Sequence, residues 1–147
     1  MRRRQKREIK RKKHLAEQLH AQYGIEQLPE GAYLLAKERW RFATRAAAEL
    51  AQRMKGVRSV GLALTGEHGV LTIEACQMLN PKENVIELDE KQAAQWLRGE
   101  AVELGCRHPS RLIAAKHGVD WLGGGLASGT KVMPGLPSWR RIKSEKK

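Results

Sequence analysis

The sequence predicts a mixed α+β fold, with a basic N-terminal helix, an N-terminal helical α/β lobe and a small C-terminal sheet domain. Residues 6–22 contain no Gly or Pro and place apolar side chains on one helical stripe. Residues 39–44 and 60–64 alternate in the period of two that is typical of strands. In the second half, a helix with N-capping residues follows one strand and precedes a hairpin.

The elements of the N-terminal lobe follow from local signals. Gly24 ends the first helix, because glycine readily adopts the left-handed conformation after a last turn. Pro29 fits the first position of a short helix through Ala36. The alternation of Trp40, Phe42 and Thr44 with Arg39 and Arg41 predicts a strand with one basic face.

Three further elements complete this lobe. The Ala-rich residues 46–54 predict a helix that is closed by Gly56, and residues 60–64 predict a strand. Residues 72–79 predict a helix that stops at Asn80-Pro81, because the residue before a proline disfavours helical geometry. This break is the best internal boundary.

In the second half, residues 85–88 predict a strand. Asp89 is placed to cap a helix, with Gln92 in the capping-box position and Gly99 as the stop. Residues 111–116 and 119–122 form a predicted hairpin about a turn at His117-Gly118. The remainder is rich in Gly and Pro.

The formal charge of +12 is concentrated at the two ends of the chain. Residues 1–13 carry +8, residues 14–103 carry −3 and residues 104–147 carry +7. Two basic ends around a slightly acidic middle favour a polyanionic partner, because each cation that neutralises a phosphate releases counterions. The alternative is that these ends are solubilising or localisation segments.

Other function classes find little support. No apolar run is long enough for a membrane span, and residues 1–20 lack the apolar core of a signal peptide, so a cytoplasmic protein is expected. No Gly-rich turn opens a helix and no loop cysteine is placed as a nucleophile, so we expect neither an enzyme nor a cofactor. Cys106 and His108 could supply two metal ligands, but the paired spacing of a zinc site is missing, so no metal is expected.

The order of the C-terminal motifs resembles the PUA-like C-terminal domain of Fmu/Sun-type RNA 5-methylcytosine methyltransferases and of free-standing ribosome-biogenesis relatives. The residues that carry the resemblance are Val85-Ile86-Glu87-Leu88-Asp89, Gln92-Ala93, Trp96-Leu97-Arg98-Gly99-Glu100, Leu122-Gly123-Gly124-Gly125 and Leu136-Pro137 with Arg140-Arg141. The resemblance implies a small PUA-like β-barrel or sheet domain that binds RNA, ribosomal RNA first and transfer RNA second. The family often has Lys-Asn where this chain has Pro134-Gly135, and it offers no counterpart to the basic residues 1–13.

The resulting division has four parts. Residues 1–14 are a basic extension, 15–80 the N-terminal α/β lobe, 81–143 the PUA-like RNA-binding domain and 144–147 a basic tail. We expect a non-catalytic RNA-binding protein that acts on ribosomal RNA in ribosome biogenesis. A permanent ribosomal component, or an RNA-delivery partner of a separate methyltransferase, remains an alternative.

The predicted RNA-binding residues are basic or aromatic and lie near the two ends of the chain: Arg2, Arg3, Arg4, Lys6, Arg7, Lys10, Arg11, Lys12, Lys13, Arg111, Lys116, Trp121, Lys131, Trp139, Arg140, Arg141 and Lys143. Trp40 and Trp96 are predicted to be core residues, whereas packing and base stacking stay open for Trp121 and Trp139. For Gly123 to Gly125, close backbone approach is favoured over a phosphate contact aided by Thr130 and Lys131.

Overall fold

The computed structural model describes residues 2–143, and within that range the fold is mixed α+β. Four α-helices accompany a three-stranded sheet and a curled, five-stranded half-barrel sheet. The predicted fold class is confirmed at this level. The predicted basic tail at 144–147 lies outside the described residues.

Helix α1, Arg2–Tyr23, is longer than its periodicity predicts and begins four residues earlier. Leu15, Leu19 and Tyr23 recur every fourth residue and are its buried positions, so they form the stripe that anchors it. The helix ends at Gly24, which has a φ of 65°. Every residue from 2 to 11 is exposed, so the N-terminal half of α1 projects from the core.

Strands β1, Ala32–Ala36, β2, Arg39–Ala43, and β3, Leu62–Ala63, form an antiparallel sheet in that order. The prediction of a helix from Pro29 through Ala36 is wrong. Lys37 and Glu38 both have positive φ and form the two-residue turn that pairs β1 with β2. Cross-strand contact, including the Tyr33 and Phe42 rings 5.2 Å apart, overrides the local signal.

The two following helices begin at capping threonines. Helix α2, Arg45–Arg53, is capped by Thr44, whose side chain accepts a hydrogen bond from the Ala47 N–H. Helix α3, Ile73–Leu79, is capped in the same way by Thr72 and ends at Asn80 in the left-handed conformation. A short 3-10 turn, Glu67–Gly69, lies between β3 and α3.

The five-stranded sheet has the order β4-β6-β7-β8-β5. Its strands are β4, Val85–Glu87, β5, Val102–Glu103, β6, Leu112–His117, β7, Asp120–Ser128, and β8, Lys131–Pro134. Strand β4 runs parallel to β6, and the remaining pairs are antiparallel. Helix α4, Glu90–Leu97, has the predicted capping box of Asp89 and Gln92. A final 3-10 turn spans Ser138–Arg140.

Two of the three consecutive glycines in β7, Gly124 and Gly125, lie where there is no room for a larger side chain. A Cβ on Gly124 would lie 2.5 Å from the Leu71 backbone nitrogen, and one on Gly125 would lie 2.5 Å from the Trp96 ring. The Gly124 N–H donates to the Leu71 carbonyl at 2.7 Å, so it is not free to bind phosphate. The close-approach interpretation is confirmed for these two glycines.

The five-stranded sheet separates two clusters of buried side chains. Leu112 and Ala114 of β6 contact the cluster that contains Leu15, Leu19, Tyr23 and Trp40. Ile113 and Ala115 belong to the other cluster, around Trp96 and α4. Successive strand residues point to opposite faces, so β6 serves both clusters. The predicted core positions of Trp40 and Trp96 are confirmed.

Candidate nucleic-acid interface

The basic half of α1 carries five of its nine cations on the side turned away from the anchoring stripe. At roughly 100° per residue, the direction opposite the anchoring stripe lies close to Lys10. Arg3, Lys6, Arg7 and Lys13 lie within about 60° of that direction on either side. The stripe itself continues toward the N-terminus through Lys12, Ile9, Glu8 and Gln5. The helix therefore presents a cationic outer face over a length of about 15 Å.

Few carboxylates neutralise this face. Within the described chain, the ion pair found on the basic half of α1 joins Arg4 to Glu8 at 3.6 Å, and both side chains are exposed. No acidic residue occupies the first turn. Positive charge at a helix N-terminus is unfavourable, because the macrodipole there is also positive. A bound polyanion would relieve the repulsion among these cations and the repulsion between the first-turn cations and the macrodipole.

Lys12 has a different environment from its neighbours. Its ammonium lies 5.2 Å from the centre of the Tyr33 ring, and the residue is half-buried. The Tyr33 hydroxyl donates to the Pro29 carbonyl at 2.6 Å. Burial, followed by the charge of Glu30, raises the pKa of Tyr33 to about 12, so the ring stays neutral. Lys12 thus fastens α1 to the β1–β2 hairpin and is less free to reach a phosphate.

The structure brings Lys116 and Trp121 together across the β6–β7 hairpin. They are register partners, and the Lys116 ammonium lies 5.5 Å from the centre of the Trp121 ring. Trp121 is half-buried and packs against the buried cluster that contains Leu15, Leu19 and Trp40. Its packing role is therefore established, while part of the ring and the nearby cation remain accessible.

At the C-terminal 3-10 turn, the Arg140 guanidinium contacts both an exposed tryptophan ring and a carboxylate. The side chain of Trp139 is 77% exposed, and the Arg140 guanidinium lies 4.9 Å from the centre of its ring. The same guanidinium donates to Glu74 of α3, and this ion pair is partly buried. Burial works to raise the pKa of Glu74, but the hydrogen bonds from Arg140 and from the backbone, with the charge of Arg140, hold it below its ordinary value. Glu74 therefore fixes Arg140 against an exposed aromatic ring.

Arg141 and Ile142 attach the segment that follows the C-terminal 3-10 turn to the end of α4. The Arg141 side chain donates to the Leu136 carbonyl at 3.1 Å and lies over Gly99, where a Cβ would approach it to 2.5 Å. The Ile142 N–H donates to the Leu97 carbonyl at 2.8 Å. Lys143 is exposed and follows directly.

Two of the predicted cations lie far from the Lys116–Trp121 pair. Lys131 pairs with Ser128 at one end of the nine-residue strand β7, whereas Trp121 lies near the other end, about 23 Å away. Arg111 lies near the Lys131 end, since its carbonyl accepts a hydrogen bond from the Ala127 N–H. The basic residues on and beside the five-stranded sheet thus occupy separate positions around it.

Sequence reasoning missed three residues that share an open cleft of about 330 Å³ with Arg111. Gln22 of α1 donates to the Ser110 hydroxyl at 2.6 Å and to the Leu112 carbonyl at 2.9 Å. His68, which has a φ of 58°, lies on the cleft wall. These side chains are far apart along the chain, and the left-handed conformation of a non-glycine residue is a signal that only the structure supplies.

No arrangement in residues 2–143 brings three or more His, Cys, Asp or Glu side chains together to hold a metal ion. Cys106 is exposed, whereas Cys76 is fully buried. Burial, with a further contribution from Glu74, raises the pKa of the Cys76 thiol to about 12. Across the same residues, no helix has the length and apolar character needed to cross a bilayer.

No protein-family model and no curated protein matches this chain. The fold and the cationic surfaces define a mixed α+β protein with an exposed basic helix.

Proposed function

We propose that this chain is a non-catalytic RNA-binding protein and that α1 is its principal phosphate-binding element. The observation that carries the proposal is the outer face of α1, where five basic residues project from the core without an acidic partner in the described chain: Arg3, Lys6, Arg7, Lys10 and Lys13. Such a face matches the dense, regular charge of a nucleic-acid backbone.

The geometry favours recognition through the backbone. A helix that presents cations around a wide arc contacts phosphates without reading base edges. The grooves of A-form RNA also offer side chains little access to base edges except through the shallow minor groove. We therefore expect α1 to bind structured RNA with little preference for sequence.

The exposed ring of Trp139 supplies a second type of contact. A base that stacks on this ring would also lie near the Arg140 guanidinium, which Glu74 holds in place. Stacking on aromatic rings is typical of proteins that bind unpaired nucleotides. The proposed RNA ligand therefore has a duplex region beside an unpaired segment.

Ribosomal RNA is the proposed target and ribosome biogenesis the proposed process, and both rest on the resemblance to the PUA-like domain. Sucrose-gradient sedimentation of cell extracts would separate the alternatives. A biogenesis factor should sediment with precursor particles and leave mature ribosomes, whereas a permanent component should remain with mature subunits.

Fluorescence anisotropy with a labelled RNA hairpin tests the proposal directly. The logarithm of the binding constant should fall linearly with the logarithm of salt concentration, with a slope of about −4 to −5 if five phosphates are contacted. A duplex DNA of the same length and a single-stranded RNA serve as comparisons. A slope near zero, or no binding at low salt, would refute the proposal.

A further inference from the structure

Helix α2 leaves much of its apolar side uncovered. It is amphipathic, yet none of its residues is buried. Leu50 is 58% exposed, and Met54, one helical turn later, is 55% exposed. Val57 adds a third exposed apolar side chain just beyond the end of the helix. We call the surface formed by Leu50, Met54 and Val57 the α2 patch.

The length of α2 makes this exposure unusual. A nine-residue helix is marginal in water unless it packs an apolar face against another element. The Thr44 cap satisfies only one end. Ala47, Ala48 and Ala51 face the fold and are half-buried, which leaves the larger side chains on the outer side. A second surface on the α2 patch would complete the packing of this helix.

The charge around the patch selects the type of partner. Arg53, Lys55 and Arg58 flank it and are exposed, and residues 45–58 as a whole carry a net charge of +3. A second copy of this chain would bring like charge against like, in a protein whose net charge is already +12. A partner with acidic residues beside an apolar stripe would match both features.

The patch also argues against two other occupants. Leu50 and Met54 lie among the cations, where they would separate phosphates from them, so RNA is disfavoured. The short helix has no aromatic residue and mostly alanines beside Leu50, so it offers little to insert into a lipid surface. Methionine adapts to irregular contacts, such as those with the apolar face of another helix.

We propose that the α2 patch docks an acidic amphipathic helix of another protein. The partner's apolar stripe would cover Leu50, Met54 and Val57, and its flanking carboxylates would lie near Arg53, Lys55 and Arg58. This interaction does not depend on RNA binding, because the proposed RNA-binding face lies on α1, which is a different helix.

The test uses a synthetic acidic peptide of about 18 residues, with leucines on one helical face and glutamates on both sides of it. Amide chemical shifts of the isotopically labelled protein are recorded during titration at about 0.3 M salt, where screening weakens purely electrostatic attraction to α1. A peptide of the same composition, shuffled to disperse the leucines, is the peptide control.

The expected shifts lie at residues 46–58, and the double variant Leu50→Gln, Met54→Gln should bind roughly tenfold or more weakly. The matched control is Val119→Gln, Met133→Gln, which changes two apolar side chains that are 93% and 50% exposed in the sheet domain and should bind normally. Equal affinity for the shuffled peptide, shifts confined to α1, or unchanged binding by the Leu50→Gln, Met54→Gln variant would overturn the proposal. Leu50-dependent binding to anionic vesicles in place of the peptide would also overturn it.

Discussion

Neutralising the outer face of α1 should remove most of the salt dependence of RNA binding. The change replaces Arg3, Lys6, Arg7, Lys10 and Lys13 with glutamine, which keeps helix propensity and removes five charges. These side chains are exposed and lie away from the anchoring stripe, so the fold should persist. Circular dichroism would verify that the variant unfolds at the wild-type temperature.

The magnitude follows from the number of cations on that face. Each phosphate contact that is lost should make the log–log salt slope shallower by about 0.9, so five contacts account for a change of about 4 to 5. Over a fourfold rise in salt, the wild-type binding constant should fall about 500-fold further than that of the variant. Fluorescence anisotropy with one RNA hairpin gives both slopes.

A control with the same change in charge separates local contacts from net charge. Lys37, Lys55, Arg58, Lys82 and Lys91 are also exposed and basic, but they lie outside α1. Their replacement with glutamine should leave the slope nearly unchanged. If the two quintuple variants had equal slopes, the reasoning that assigns phosphate binding to α1 would be refuted.

Three further predictions concern other parts of the molecule. Trp139→Ala should weaken binding to an unpaired RNA segment by about 1–3 kcal/mol without lowering the melting temperature, and equal affinity in the anisotropy assay would rule out stacking. Gly124→Ala places a methyl group against the Leu71 backbone and should lower the free energy of unfolding in urea by about 1–3 kcal/mol, whereas wild-type stability would contradict the close packing. A thiol reagent at pH 8 should label the exposed Cys106 but spare Cys76, whose pKa is raised to about 12, until denaturant is added; two labelled thiols in the native protein would contradict this.

Local chemistry in the sequence accounts for the elements that were predicted well. The Asp89–Gln92 capping box determines where α4 begins, because both of its hydrogen bonds form within four residues. Gly24 ends α1 for an equally local reason. The core position of Trp96 follows from the apolar face of α4, although its hydrogen bond to the Leu122 carbonyl could not be predicted.

Elements that depend on contacts with residues far away in the sequence were not predicted. Strand β1 exists because β2 pairs with it and Tyr33 contacts Phe42, which outweighs the helical signal of Pro29. Strand β7 continues through Gly124 and Gly125 because Leu71 and Trp96 occupy the space that larger side chains would need. Glycine has low strand propensity, so no local pattern indicates this continuation.

Part of the candidate interface could be predicted from the sequence, and part of it depends on the tertiary fold. The basic content of residues 1–13 is visible in the sequence, but only the structure assigns Lys12 to the Tyr33 ring and leaves Lys10 on the outer face. The sequence predicts that Arg140 is near Trp139, yet the ion pair with Glu74 joins residues that are far apart in the chain. The cleft of Gln22, His68 and Arg111 likewise arises from the tertiary fold.

Lysine protection by RNA tests the central claim most directly. The protein is acetylated briefly with and without a bound RNA hairpin, and mass spectrometry measures modification at each lysine. Lys6, Lys10 and Lys13 should be protected, while the exposed Lys37, Lys82 and Lys91 should react equally in both samples. Full reactivity of Lys6, Lys10 and Lys13 in the RNA-bound protein would show that α1 does not contact the backbone.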